Sequence, residues 1–261
     1  MDAGIAELVI DRPPVNALDR YAQRELATAV HALVDDERAR AIVVRSEGRT
    51  FSAGADIKEM ATMSNEEMIA HAARMQQSFM ALLHVPVPTI VAIEGAALGG
   101  GCELAMCADL RIAGASARIG LTETRIGVIP AAGGTQMLPR LAGLGRARRM
   151  IFSGEPIRAG EALAAGLVDD VVTDGEAAAA AFALAAAFAR RPRSVLVAAK
   201  HALGSALAEP LAAGLREETA AFLDTFAAPG RRDAMVAFLA GDRSETPTAG
   251  ARPQLDSTRG A

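Results

Sequence analysis

The chain predicts an α/β fold, on three observations. Short runs of β-branched and apolar residues alternate with longer stretches of helical spacing, glycine and proline punctuate nearly every junction, and glycine-rich turns open directly from strand-like segments. Ile5–Ile10 reads as a strand ended by Arg12-Pro13-Pro14, Arg20–Val34 as a helix and 41–45 as a second, buried strand, which gives β-α-β order. Asn65–Leu83 has helical spacing and is broken by Pro86-Val87-Pro88. A β-branched strand over 89–94 then runs into Gly95 and the triple glycine Gly99-Gly100-Gly101. A helix begins near Gly101, a strand covers 108–113, and a loop from Gly120 to Gly134 leads to a helix over 135–141. After about Ala147 the pattern reads as helical throughout. Within it, 161–169 reads as a helix capped by Gly166, followed by a short strand over 168–172. No repeat of fixed period stands out.

Composition narrows the function classes. At 261 residues and 51% hydrophobic content the chain can bury a full core, and it fits one domain with an appendage better than two equal domains. The net charge of −4 argues against a general nucleic-acid surface. Two cysteines, Cys102 and Cys107, lie among small residues and read as buried reduced thiols rather than a disulfide framework or zinc site. His31, His71, His84 and His201 occur singly, without metal-ligand spacing, so surface or packing roles are favoured and no metal is expected. The N-terminus lacks a basic segment followed by an apolar core, and the alanine-rich run Ala177–Ala189 is too short to span a bilayer, so a cytoplasmic protein without a membrane partner is expected. Residues 241–261, with Pro247, Pro253 and mostly small or polar side chains, are expected to be disordered.

Chemistry concentrates at two glutamates. Glu103 follows the triple glycine and Cys102, and Glu123 ends Gly120-Leu121-Thr122-Glu123. Taken alone, Glu103 suits the dipole of a first helical turn and Glu123 suits a surface loop. Paired carboxylates beside glycine-rich backbone also suit acid/base work. Three consecutive glycines carry an entropic cost, which implies close approach to the backbone there. A strand entering glycines and then a helix points free N–H groups and the positive end of the dipole at one spot, suited to a developing negative charge. A second small-residue junction, Phe51-Ser52-Ala53-Gly54-Ala55-Asp56-Ile57, can supply another donor to the same oxygen. Met60, Met63, Met68 and Met75 can line an adaptable apolar pocket or pack in a helical core.

Four segments carry a family resemblance: Arg12-Pro13-Pro14-Val15-Asn16-Ala17-Leu18, Phe51 through Met60, Gly95 through Ala105, and Ile129-Pro130-Ala131-Ala132-Gly133-Gly134-Thr135-Gln136. In this order they resemble the enoyl-CoA hydratase/isomerase (crotonase) family, over about residues 4–240. The resemblance implies a crotonase-like spiral of β-β-α units over 1–195, a C-terminal helical trimerisation region over 196–240, and a homotrimer or homohexamer. It further implies an acyl-CoA thioester substrate with no separate cofactor, an oxyanion hole from the amides of Ala55 and Gly100, and substrate contacts from Ala53, Ala55, Asp56, Ile57, Lys58 and Gly100. By the same resemblance Glu103 positions and activates water, Glu123 exchanges the α-carbon proton, and Lys58 lies near the adenosine end of CoA. Carrying both acids resembles the hydratases, whose product is a 3-hydroxyacyl-CoA. Other readings are an isomerase, a methylglutaconyl-type hydratase, to which Leu121-Thr122-Glu123-Thr124 is similar, and a non-catalytic acyl-CoA binding protein. Ala131 replaces a usual glycine, which is tolerated unless that position needs positive φ.

Overall fold

The computed structural model describes residues 4–208 and 211–227. Five parallel strands form the main sheet, in an order that skips along the chain. These are β1 (Ile5–Ile10), β3 (Ala41–Ser46), β5 (Thr89–Ile93), β7 (Leu110–Gly114) and β10 (Asp170–Val172), side by side in that order. Between them lie shorter strands of separate sheets: β2 (Ala17–Leu18) with β4 (Gly54–Ala55), and β6 (Ala96–Leu98) with β8 (Arg118–Gly120) and β9 (Ile157–Arg158). The helices are α1 (Arg20–Val34), α2 (Ile57–Met60), α3 (Asn65–Leu83), α4 (Gly100–Met106), α5 (Gly134–Ala142), α6 (Leu144–Ser153), α7 (Ala159–Ala164), α8 (Ala177–Ala189), α9 (Arg193–Ala208) and α10 (Leu211–Ala227). A main-sheet strand, a short strand and a helix recur several times, which is the expected β-β-α spiral. The main-sheet members of these units start at Ile5, Ala41, Thr89 and Leu110, so the spacing is too irregular to show as a sequence repeat.

The central strands β3 and β5 are buried on both faces and are apolar without alternation for that reason, whereas edge strand β1 alternates buried and exposed residues. Ile42, Val44, Val91 and Ile93 pack with Phe79 and Leu82 of α3 and Leu104 of α4. Their neighbours Ala41, Val43, Ile90 and Ala92 face the other way, against Ala177, Ala181 and Ala185 of α8. Alanine at every fourth position gives α8 a flat stripe that lies close on the sheet. The termini of α1 and α3 are set by local chemistry. Asp19 accepts from the Ala22 amide ahead of α1, and Ser64 and Glu67 form a reciprocal capping box on α3.

The region after Ala147 is not helical throughout. β10 pairs in parallel with β7 as the fifth main-sheet strand, and β9 pairs antiparallel with β8. The expected helix over 161–169 is the shorter α7, and Gly166 does turn the chain, with φ of +73°. Leu167 and Val168 then enter the core instead of starting the strand, which begins at Asp170. Strands of two or three residues take their place from tertiary pairing rather than from a pattern of their own.

α9 runs through the expected boundary between 195 and 196 and is tied to the core. Arg193 donates to the Ala39 carbonyl at 3.0 Å, and Lys200 donates to the Val87 carbonyl at 3.0 Å and to Asp109 at 2.7 Å. α10 leaves Leu215, Phe222 and Leu223 more than half exposed. The Ala237-Phe238-Leu239 segment and the tail 241–261 lie outside the described residues. Among the described residues no helix is long and apolar enough to cross a membrane.

Candidate active site

Three backbone turns meet at one cleft: strand β4, the glycine entry to α4, and the entry to α5. Close approach explains the glycines. Gly99 takes φ of +50°, and a methyl there would lie 3.1 Å from Glu123 Oε1. A methyl on Gly101 would lie 2.6 Å from the Ser52 carbonyl oxygen. Ser52 is fully buried and is itself fixed: its hydroxyl donates to the Asn16 carbonyl at 2.7 Å and accepts from the Gly54 amide at 3.1 Å. Asn16 is anchored in turn, its side-chain amide donating to the carbonyls of Glu47 and Thr50. The Arg12–Asn16 turn thus braces β4 from behind, a function that the sequence motif did not reveal.

The two expected oxyanion donors are adjacent. A methyl on Gly100 would lie 3.4 Å from the Ala55 nitrogen and one on Gly54 3.0 Å from the Gly100 nitrogen, so the two backbone segments run side by side at the cleft. Gly100 is the first residue of α4, and its N–H has no acceptor within the helix. The α4 dipole adds positive potential at the same point.

The two carboxyls line this cleft in unlike environments. Glu103, in the first turn of α4, is 1% exposed, and its Oε1 accepts from the Ala132 and Gly134 amides at 2.8 Å each. Burial pushes its pKa up while those two amides pull it down, and the net direction is up. Glu123 opens a 3-10 turn (Glu123–Ile126). Its buried Oε2 has no partner among the described residues. Burial first, and the charge of Glu103 second, push its pKa up to about 7. The two carboxyls are thus unequal: backbone amides oppose the upward shift of Glu103, while its neighbour retains a proton near neutrality. Glu123 is no solvated loop residue.

The cleft has a volume of about 260 Å³. Ala53, Ala55, Ile57, Gly100, Glu103 and Glu123 of the expected set line it, and Asp56 and Lys58 do not. Asp56 caps α2 by accepting from the Lys58 and Glu59 amides, which lowers its pKa, the Glu59 bond foremost. Lys58 is exposed on the first turn of that helix. Met60, Met68 and Met75 line the cleft, whereas Met63 does not. Ala131 also lines it, without positive φ, so its methyl is accommodated. That Ala132 and Gly134 hold Glu103 is not legible from residue types, although the Gly133-Gly134 pair at a helix start is the kind of signal that marks such donors. The place of His71, which is 1% exposed and lines the cleft, is equally illegible. Cys102 and Cys107 are buried and unpaired, with burial pushing the Cys107 thiol up to about 12 and Cys102 up further, so neither is a nucleophile.

The sequence model of the Enoyl-CoA hydratase/isomerase family matches residues 1–244. A probable enoyl-CoA hydratase of Bacillus subtilis is 40% identical over 241 residues, 92% of this chain and 93% of that protein. The mitochondrial methylglutaconyl-CoA hydratase of Mus musculus is 38% identical over 242 residues, 90% of this chain and 77% of that protein. The crystal structure of an enoyl-CoA hydratase from Bacillus anthracis superposes with a TM-score of 0.88 at 34% identity, covering 91% of this chain and 93% of that one.

Proposed function

We propose, from the premise that this chain belongs to the enoyl-CoA hydratase/isomerase family, that its two-glutamate cleft carries out syn hydration of a 2-enoyl-CoA. The protein is an enoyl-CoA hydratase, and the observation that carries the assignment is the unequal carboxyl pair beside the Ala55 and Gly100 amides. The thioester oxygen is bound by those two amides. As water adds at C3, negative charge moves onto this oxygen, and fixed donors stabilise it. Glu103, held through one oxygen, uses the other to orient the water and take its proton. Glu123, protonated near neutral pH, delivers a proton to C2. The hydroxyl goes to C3, and the pair ends with the one proton it began with, now on Glu103 and free to redistribute.

CoA enters as part of the substrate, so no further cofactor is invoked. The exposure of Lys58 beside the cleft-lining Ile57 supports a contact with an anionic group of CoA, and Asp56 holds the turn that carries both. Exposed apolar residues on α10, together with Phe152, support a homotrimer or homohexamer, and the bacterial relative supports action in the cytoplasm. A methylglutaconyl-CoA-type substrate is a second reading, supported by the mouse relative and by Thr122 in the cleft wall.

The test is hydration of crotonyl-CoA, followed by loss of the conjugated-thioester absorbance. Glu103→Gln and Glu123→Gln should each lower kcat by about 10²–10⁴-fold. Unchanged turnover in either variant would sink the two-carboxylate mechanism. Binding of CoA thioesters without turnover by the wild type would make this a binding protein instead.

A further inference from the structure

The side of the cleft formed by α2 and α3 carries one polar side chain that hydration does not use. Met68, His71, Ala72 and Met75 lie on one face of α3 and line the cleft beside Ile57 and Met60. Among these apolar side chains His71 is enclosed, and its Nδ1 has no partner among the described residues. Its other nitrogen is engaged. The Gln23 amide nitrogen donates to the Leu18 carbonyl at 3.0 Å and lies 3.4 Å from His71 Nε2. An amide nitrogen only donates, so Nε2 is the acceptor and the ring proton resides on Nδ1. Gln23 is almost fully buried and fixes this tautomer. The result is an N–H donor, itself without exposed surface, on a residue that lines the cleft, and an unmet donor of this kind is a standing cost to the fold that a ligand acceptor removes.

We propose that His71, oriented by Gln23, donates a hydrogen bond from Nδ1 to an oxygen acceptor on the acyl chain, so that the enzyme favours oxygenated enoyl thioesters over plain alkyl ones. Met68 and Met75, one turn to either side, are unbranched and shift easily, which lets a chain end reach the ring. Burial keeps the imidazole pKa low, with Arg74 and Arg20 adding to that effect and Glu59 opposing it. The donor is therefore the neutral ring, and the acceptor can be a hydroxyl, a carbonyl or a carboxylate. A site with an unpaired donor discriminates against an analogue lacking the acceptor more strongly than an apolar pocket discriminates by size.

This inference rests on the hydratase reading for its substrate class. The experiment compares 2-enoyl-CoAs of equal length ending in methyl, hydroxyl or carboxylate, by kcat/KM with the wild type, His71→Phe and Gln23→Leu. The wild type should prefer at least one oxygenated chain by about 10-fold or more. That ratio should fall towards one in His71→Phe and decrease in Gln23→Leu. The hydroxyl and carboxylate arms show which acceptor is used. A wild-type ratio near one overturns the inference while leaving hydration intact, and so does a high ratio that survives both substitutions. The corresponding saturated acyl-CoAs, titrated for binding, read the same ratio without turnover. Should no thioester be hydrated, the hydratase reading fails and the binding ratios alone decide the role of His71.

Discussion

The glycine wall of the cleft and its helical wall are made of different materials. The first, from β4 and the opening turns of α4 and α5, is backbone: Ala55 and Gly100 line the cleft with the amides proposed to bind the thioester oxygen, and the amides of Ala132 and Gly134 donate to Glu103. The second, from α2 and α3, presents side chains, chiefly Ile57, Met60, Met68, His71 and Met75. Backbone donors cannot change rotamer, and here they are backed by a chain of buried hydrogen bonds through Ser52 and Asn16. Methionines change rotamer cheaply. Preorganised electrostatics demand the first kind of wall, whereas acceptance of variable acyl chains demands the second. Substitutions in the two walls should therefore fail in different ways.

The largest effect is expected in the glycine wall. Gly101→Ala places a methyl 2.6 Å from the Ser52 carbonyl oxygen and 2.7 Å from its Cβ, and Ser52 cannot retreat without releasing the Gly54 amide. We expect a loss of about 2–3 kcal/mol in urea denaturation, since overpacking a fixed core costs about that much. Displacement of the Ala55 donor should also lower kcat by about 10²-fold. A variant with wild-type stability and turnover would show that this wall yields as readily as the other.

The same contrast decides what the sequence made legible. The long elements α1 and α3 have the expected bounds, because their apolar periodicity and their caps agree. Short β4, β6 and β8 leave no trace, since two or three residues hold no period and their pairing is wholly tertiary. At the site, Glu103 and Glu123 are visible because glycines flank them, and resemblance supplies Ala55 and Gly100. The grip on Glu103 is invisible, because backbone amides donate from any residue type and Ala132 lies 29 positions away. His71 was missed for a related reason: a lone histidine in a helix has the same sequence appearance whether it packs or binds, and only the engaged Nε2 and unpaired Nδ1 separate the two.

A smaller effect distinguishes the two carboxyls by pH. Glu123 titrates near 7 in the fold and near 4.5 when unperturbed, so the folded state prefers its protonated form. Its contribution is fully favourable below about pH 4.5 and is lost as pH rises through about 7. Glu123→Gln cannot ionise. Its melting temperature should match the wild type at low pH and exceed it above pH 7, by a margin on the order of 2 kcal/mol, or roughly 4–8 °C. In hydration, wild-type kcat/KM should decline above about pH 7 as the pair loses its shared proton, and the residual activity of the variant should lack that limb. An alkaline limb that persists unchanged in Glu123→Gln would assign the titration to another group.

The smallest effect belongs to the helical wall. Met75 is 6% exposed and packs with the core while also lining the cleft, so Met75→Leu conserves volume and removes only length and flexibility. Such swaps cost less than about 1.5 kcal/mol. No group that handles charge is touched, so kcat on crotonyl-CoA should stay within about 3-fold, while kcat/KM across a series of longer alkyl chains should shift by up to about 10-fold because each methylene contributes little. A kcat loss as large as that of Gly101→Ala would mean that α3 positions the reacting atoms and that the cleft has one functional wall rather than two.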